Sequence, residues 1–126
     1  MLSVMIVEDD ISVADILASM LRFLGCTTRY APHPKAALEL LTSDNIPDLF
    51  LVDYYMPYLN GPEFCQVLKE DPRTAQVPVV LLSAERTPTS EAAAQKAGAA
   101  EYLLKPVMLD DLKSLLTRVI KVKPDD

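Results

Sequence analysis

Glycine is scarce in this chain, with three residues in 126. None of them forms a glycine-rich loop behind the first strand-like segment, which counts against a flavin- or nucleotide-binding domain built around a phosphate cradle. Cysteine is scarcer still. Cys26 and Cys65 are the only two; they favour neither a disulfide nor a zinc site and read as small packed residues. The single histidine, His33, stands between prolines with no second histidine or cysteine nearby, so it is not expected to ligate a metal or relay a phosphoryl group. No apolar run approaches the ~20 residues that span a bilayer. The N-terminus has neither the basic flank nor the cleavage pattern of a signal peptide, so a cytoplasmic protein without a membrane role is expected. Basic residues are outnumbered, 12 Lys and Arg against 18 Asp and Glu, for a net charge of −6. That balance gives no electrostatic footprint for nucleic acid and suits a divalent cation better.

What is present is a regular alternation. Leu2 to Val7, Thr27 to Ala31, the run ending at Phe50 to Asp53, Val77 to Ser83 and Tyr102 to Leu104 have strand character. Between them lie helical stripes. Val13, Leu17, Met20, Leu21 and Leu24 share one face before Gly25, and Ala37, Leu38 and Leu41 follow Pro34. Gly61-Pro62 and Thr87-Pro88 open two more helices, with Gly98 closing the second. Leu112, Leu115, Leu116 and Val119 form the last stripe, behind Asp110 and Asp111 in a first turn that suits the helix dipole. Five βα units with strands apolar throughout predict an open, doubly wound parallel sheet with helices on both faces. One domain over residues 1–122 is expected. Residues 123–126 form a tail or the start of a linker, within a polar C-terminus that begins at Lys121 and contains Pro124.

In such sheets ligands bind beyond the C-terminal strand ends. Polar groups collect there: Glu8-Asp9-Asp10 after the first strand, Asp53 after the third, Ser83 after the fourth and Lys105 after the fifth. Converging carboxylates repel and call for a cation, and oxygen donors of this kind suit Mg²⁺. A lysine and a hydroxyl in the same crevice can hold a phosphoryl group, and aspartate can accept one covalently. Asp10 has a second natural role, as N-cap of the first helix.

The segments Ile6-Val7-Glu8-Asp9-Asp10, Leu51-Val52-Asp53-Tyr54-Tyr55-Met56-Pro57 with Gly61, Leu82-Ser83-Ala84 and Tyr102-Leu103-Leu104-Lys105-Pro106 occur in that order. Over essentially its whole length the chain resembles the receiver domain of the two-component response regulator family. The resemblance implies a flavodoxin-like (βα)5 sheet of order 2-1-3-4-5 and a signalling module rather than an enzyme. Asp53 would be the phosphoacceptor. Glu8, Asp9, Asp53 and the backbone carbonyl of Tyr55 would hold Mg²⁺. Ser83 and Lys105 would contact the phosphoryl group, and Tyr102 would swing inward on activation. The Lys105–Pro106 bond would be cis. The implied partners are a sensor histidine kinase or histidine phosphotransfer protein, a downstream protein or attached output domain, and a second copy through the fourth- and fifth-strand face.

The pattern has departures. Ser83 stands where threonine is commoner, Val107 where phenylalanine is frequent, and Tyr54 and Tyr55 are bulky neighbours of Asp53. Two other functions fit part of the pattern. An aspartate-nucleophile phosphatase would carry a second acid at the position of Tyr55. A receiver that binds partners without being phosphorylated would not need the full residue set.

Overall fold

The computed structural model describes residues 1–120, so the C-terminal tail expected from the sequence lies outside the described residues. Five strands, β1 (Ser3–Val7), β2 (Thr27–Ala31), β3 (Leu49–Asp53), β4 (Val79–Ser83) and β5 (Glu101–Leu104), alternate with five helices. These are α1 (Ile11–Phe23), α2 (Pro34–Leu40), α3 (Gly61–Glu70), α4 (Pro88–Ala97) and α5 (Leu109–Val119). All strand pairings are parallel, and the sheet order is β2-β1-β3-β4-β5. This is the flavodoxin-like arrangement expected from the sequence. Among the described residues no helix is long and apolar enough to cross a membrane.

The two-residue period of a strand sends successive side chains to opposite faces, and each face has its own core. Met5, Val7, Phe50, Val52 and Leu81 pack with Phe64 and Leu68 of α3 and Ala94 of α4. Val4, Ile6, Leu49, Leu51, Val80 and Leu82 pack with Leu17 and Leu21 of α1 and Leu112 and Leu115 of α5. β3 and β4 are buried at every position, whereas the edge strands β2 and β5 are only partly so. That explains why the central strands read as unbroken apolar runs and the edges read weakly. Cys26 and Cys65 are buried free thiols inside these two cores.

Local chemistry sets the boundaries. Asp10 caps α1 as expected, its carboxylate accepting from the N–H groups of Ser12 (2.9 Å) and Val13 (3.3 Å). Gly98 ends α4 in the left-handed region (φ 92°). β4 starts at Val79, two residues later than the apolar run suggests. The N–H of Val77 turns back to the Thr74 carbonyl, and Pro78 has no N–H to give. His33 has a structural role that the sequence did not disclose. Its Nδ1 accepts from the Ala36 N–H at 3.1 Å and caps α2.

Gly61, the first residue of α3, fits against the end of β3. A Cβ there would meet the Asp53 carbonyl oxygen and the Tyr54 Cα, each at 2.9 Å. The Gly61 N–H donates to the Tyr54 carbonyl at 2.7 Å, fastening the β3–α3 loop where it leaves the sheet. Both obstructing atoms are backbone and cannot rotate aside. Gly61→Ala is therefore expected to destabilise the fold by about 1–3 kcal/mol, read as a lowered urea midpoint with an unchanged m-value.

Candidate functional site

The strand order reverses direction between β1 and β3, because the chain moves from β1 outward to β2 and then returns to the other side. A crevice opens at their C-terminal ends. β1 delivers Glu8 and Asp9 to it, and β3 delivers Asp53 as its last residue. One carboxylate oxygen from each of these three acids lies within 4.8 Å of the others. Glu8 is 1% exposed and Asp53 6%, whereas Asp9 faces solvent. Lys105, just past β5, reaches across the end of β4. Its Nζ donates to Asp53 Oδ1 at 3.0 Å and to Glu8 Oε1 and Oε2 at 3.2 and 3.3 Å. The sequence-predicted acids and lysine are thus brought to one point. The Lys105–Pro106 peptide is cis, as the resemblance implied.

Ser83 and Tyr102 form a neighbouring layer rather than part of this cluster. Ser83 is buried at the end of β4, opposite Leu104 of β5. Its Oγ accepts from the Glu85 N–H at 3.3 Å, and its carbonyl accepts from the Lys105 N–H at 2.8 Å. Tyr102 is 8% exposed, its ring turned into the protein. Its hydroxyl donates to the Glu85 carbonyl at 2.7 Å and lies 3.0 Å from Ser90 Oγ. Tyr54, directly after Asp53, is also buried. Its hydroxyl donates to the Ser90 carbonyl at 3.2 Å, and its ring centroid lies 5.7 Å from that of Tyr102. Tyr55 is 55% exposed, and its ring centroid lies 4.7 Å from that of Tyr54. Ser90 and Arg86 were not singled out from the sequence. The one available signal was the spacing of Thr87 and Ser90, which form a reciprocal N-terminal cap on α4.

This geometry defines a parallel α/β domain with an acidic, lysine-bridged crevice at its topological switch point. A family model described as the response regulator receiver domain matches residues 4–117. The two-component response regulator ORR11 of Oryza sativa subsp. indica is 32% identical over 117 residues, covering 93% of this chain and 80% of ORR11. The chemotaxis protein CheY4 of Vibrio cholerae has the same fold, with a TM-score of 0.89, 26% identity, and coverage of 95% of this chain and 99% of that one. The signal receiver domain of a signal transduction histidine kinase from Syntrophus aciditrophicus gives a TM-score of 0.85 at 28% identity, over 98% and 96% of the two chains. The chain belongs to the response regulator receiver domain family. Domains of this family are signalling modules that work with histidine kinases or phosphotransfer proteins and with output domains.

Burial, followed by the Asp53 charge, lifts the Glu8 carboxyl from its ordinary value near 4.5 to about 7, against the lowering effect of Lys105. Lys105 itself is depressed by burial, but its hydrogen bond and charge contact with Asp53, and then Glu8, leave it net raised and cationic. Between pH 4.5 and 7, folded Glu8 therefore keeps a proton that the unfolded chain has lost. Its contribution to stability is fully present below pH 4.5 and is lost as pH rises through 7. In chelator-treated protein, Glu8→Gln is expected to remove a fall in stability approaching about 1.4 kcal/mol per pH unit across that window. Urea titrations of wild type and variant at several pH values measure the difference. Parallel pH profiles for the two proteins would exclude a protonated Glu8.

Proposed function

We propose that this receiver accepts a phosphoryl group on Asp53 from the phosphohistidine of a sensor histidine kinase or a histidine phosphotransfer protein, in a Mg²⁺-dependent reaction. The observation that carries the proposal is the Lys105 ammonium 3.0 Å from Asp53 Oδ1, inside a cluster of three acids at one sheet edge. In the reaction an Asp53 carboxylate oxygen attacks phosphorus, the P–N bond breaks, and the bonding pair leaves with the imidazole. The product is an acyl phosphate on β3. Lys105 orients Asp53 beforehand and pairs with the added negative charge afterwards. The Ser83 hydroxyl, buried at the adjacent strand end, is the second group of the chain assigned to the phosphoryl oxygens.

The acid cluster suits a hard divalent cation, since its donors are carboxylate oxygens and Asp9 opens it to water. Glu8, Asp9, Asp53 and the Tyr55 backbone carbonyl would hold Mg²⁺. The ion supplies charge neutralisation between two anions that otherwise repel, the carboxylate and the incoming phosphoryl group. Tyr102 is the assigned switch residue, coupling the state of Asp53 to the β4–β5 side. That side is the proposed face for a downstream protein, an output domain or a second copy. The position two residues after Asp53 is an exposed tyrosine rather than an acid, which disfavours the phosphatase alternative.

The test is to incubate purified protein with a small acyl or amido phosphate and Mg²⁺, then measure intact mass. Wild type is expected to gain one acid-labile phosphate, Asp53→Asn none, and Lys105→Ala to react more slowly by roughly a hundredfold. Equal labelling of Asp53→Asn would assign the acceptor elsewhere.

A further inference from the structure

A cleft of about 490 Å³ opens between the N-terminus of α2 and the β3–α3 loop. Pro34 and Leu38 of α2 and Pro57 and Leu59 of the loop form its apolar walls. Its polar groups are His33, Lys35 and Tyr58, and no aspartate or glutamate lines it. In a chain of net charge −6 this lining is therefore locally basic. A cleft of this volume accepts a small molecule, and a few well-placed polar groups then decide which one. It is too small a surface for a stable protein interface, which engages roughly 20–30 residues a side.

The three polar groups all present donors. His33 Nδ1 accepts from the Ala36 N–H, so the proton of the neutral ring sits on Nε2. The Lys35 ammonium makes no ion pair among the described residues. Tyr58 occupies the centre of a three-residue turn, closed by the Leu59 N–H donating to the Pro57 carbonyl at 2.9 Å. Its φ of 74° lies in the left-handed region, which is rare for a bulky residue. Glycine or asparagine would fit that position with less strain. Tyr58 is also fully exposed, so its ring gains no burial within the domain in return.

We propose that this cleft binds a small planar aromatic carboxylate. The aromatic body would lie against Leu38 and Leu59 and stack on the Tyr58 ring, with the carboxylate at Lys35 and His33 Nε2. The apolar walls supply the contact area, the tyrosine favours a flat ring, and Lys35 selects the sign of charge. A bound ring gives the strained placement of Tyr58 a use that the domain alone does not. Neither Asp53 nor Lys105 lines the cleft, so the proposal is independent of the acceptor role of Asp53.

The test is a titration of the isotope-labelled full chain with trans-cinnamate, followed through backbone amide NMR signals. Cinnamyl alcohol and cinnamylamine serve as the neutral and cationic counterparts. Cinnamate is expected to shift the Lys35, Leu38, Tyr58 and Leu59 amides saturably and to bind at least about threefold more tightly than the alcohol. The amine should bind weakest. Lys35→Gln is expected to abolish the preference for the anion while leaving the affinity for the alcohol unchanged. Tyr58→Gly is expected to weaken cinnamate and alcohol alike, by about fivefold. Both substitutions are at exposed positions, and urea midpoints check that the variants fold. The assignment would be overturned by lack of saturation at millimolar cinnamate, by equal affinity for the three probes, or by unchanged affinities in either variant. Shifts centred on Asp53 and Lys105 would also overturn it. So would cleft signals that move on dilution of the unliganded protein, which would give this face to a second copy.

Discussion

The arrangement of the site depends on one cation held among carboxylates in a largely buried crevice. Glu8 and Asp53 end neighbouring strands and would repel each other if left unpaired. Lys105 bonds to both and is net raised in pKa despite its burial. Breaking a buried pair by deleting one partner leaves an uncompensated charge, so these side chains constrain one another. The sheet order explains why a lysine is suited to the task. β5 lies two strand spacings from β3, roughly 10 Å in a regular sheet, and the contact is made by a long flexible stem rising from the loop beyond β5. The same reach carries the lysine past the end of β4, which places Ser83 between it and Asp53 in the sheet order.

Around this ionic contact the protein is built in two chemically different layers. The crevice is acidic and accessible from the Asp9 side. Behind it, Tyr54 and Tyr102 form a buried aromatic layer whose polar tips are satisfied by α4 and the loop before it. The two layers meet at the Asp53–Tyr54 peptide. Gly61 braces that junction by packing without a side chain against the same carbonyl. A disturbance at the Asp53 carboxylate therefore has a short covalent route to a buried hydroxyl that touches a helix.

The fold was legible in the sequence because its signals are local and repeated. Central strands buried on both faces must be apolar at every position, and Phe50 to Val52 and Val79 to Leu82 are. Asp10 was legible as a cap because a short carboxylate before an amphipathic run has few other local uses. The site acids and Lys105 were legible because topology brings all strand C-termini to one edge. What escaped has a common physical reason. His33 caps a helix through a ring nitrogen, a role shared with much commoner capping residues. Ser90 and Arg86 matter through contacts with Tyr54, Glu85 and Tyr102, and only the capping half of the Ser90 role is written in adjacent residues. The start of β4 was misplaced because hydropathy does not show that Val77 spends its N–H on a turn.

The protonation of Glu8 connects the site's stability to its proposed use. The Glu8 carboxyl is lifted to about 7 because burial and the Asp53 charge outweigh the single ammonium that it shares with Asp53. A second cation in the crevice would oppose that lift, since added positive charge favours the carboxylate form. On the proposed reading Mg²⁺ is that cation, and the phosphoryl group then draws Lys105 toward the new anion. The side chains of β1 and β3 are buried and leave little room to adjust, so on that reading each stage would exchange one incomplete neutralisation for another at the sheet edge. Any conformational consequence must therefore leave through the segments that border this edge, and Asp53 is joined most directly to the one that begins at Tyr54.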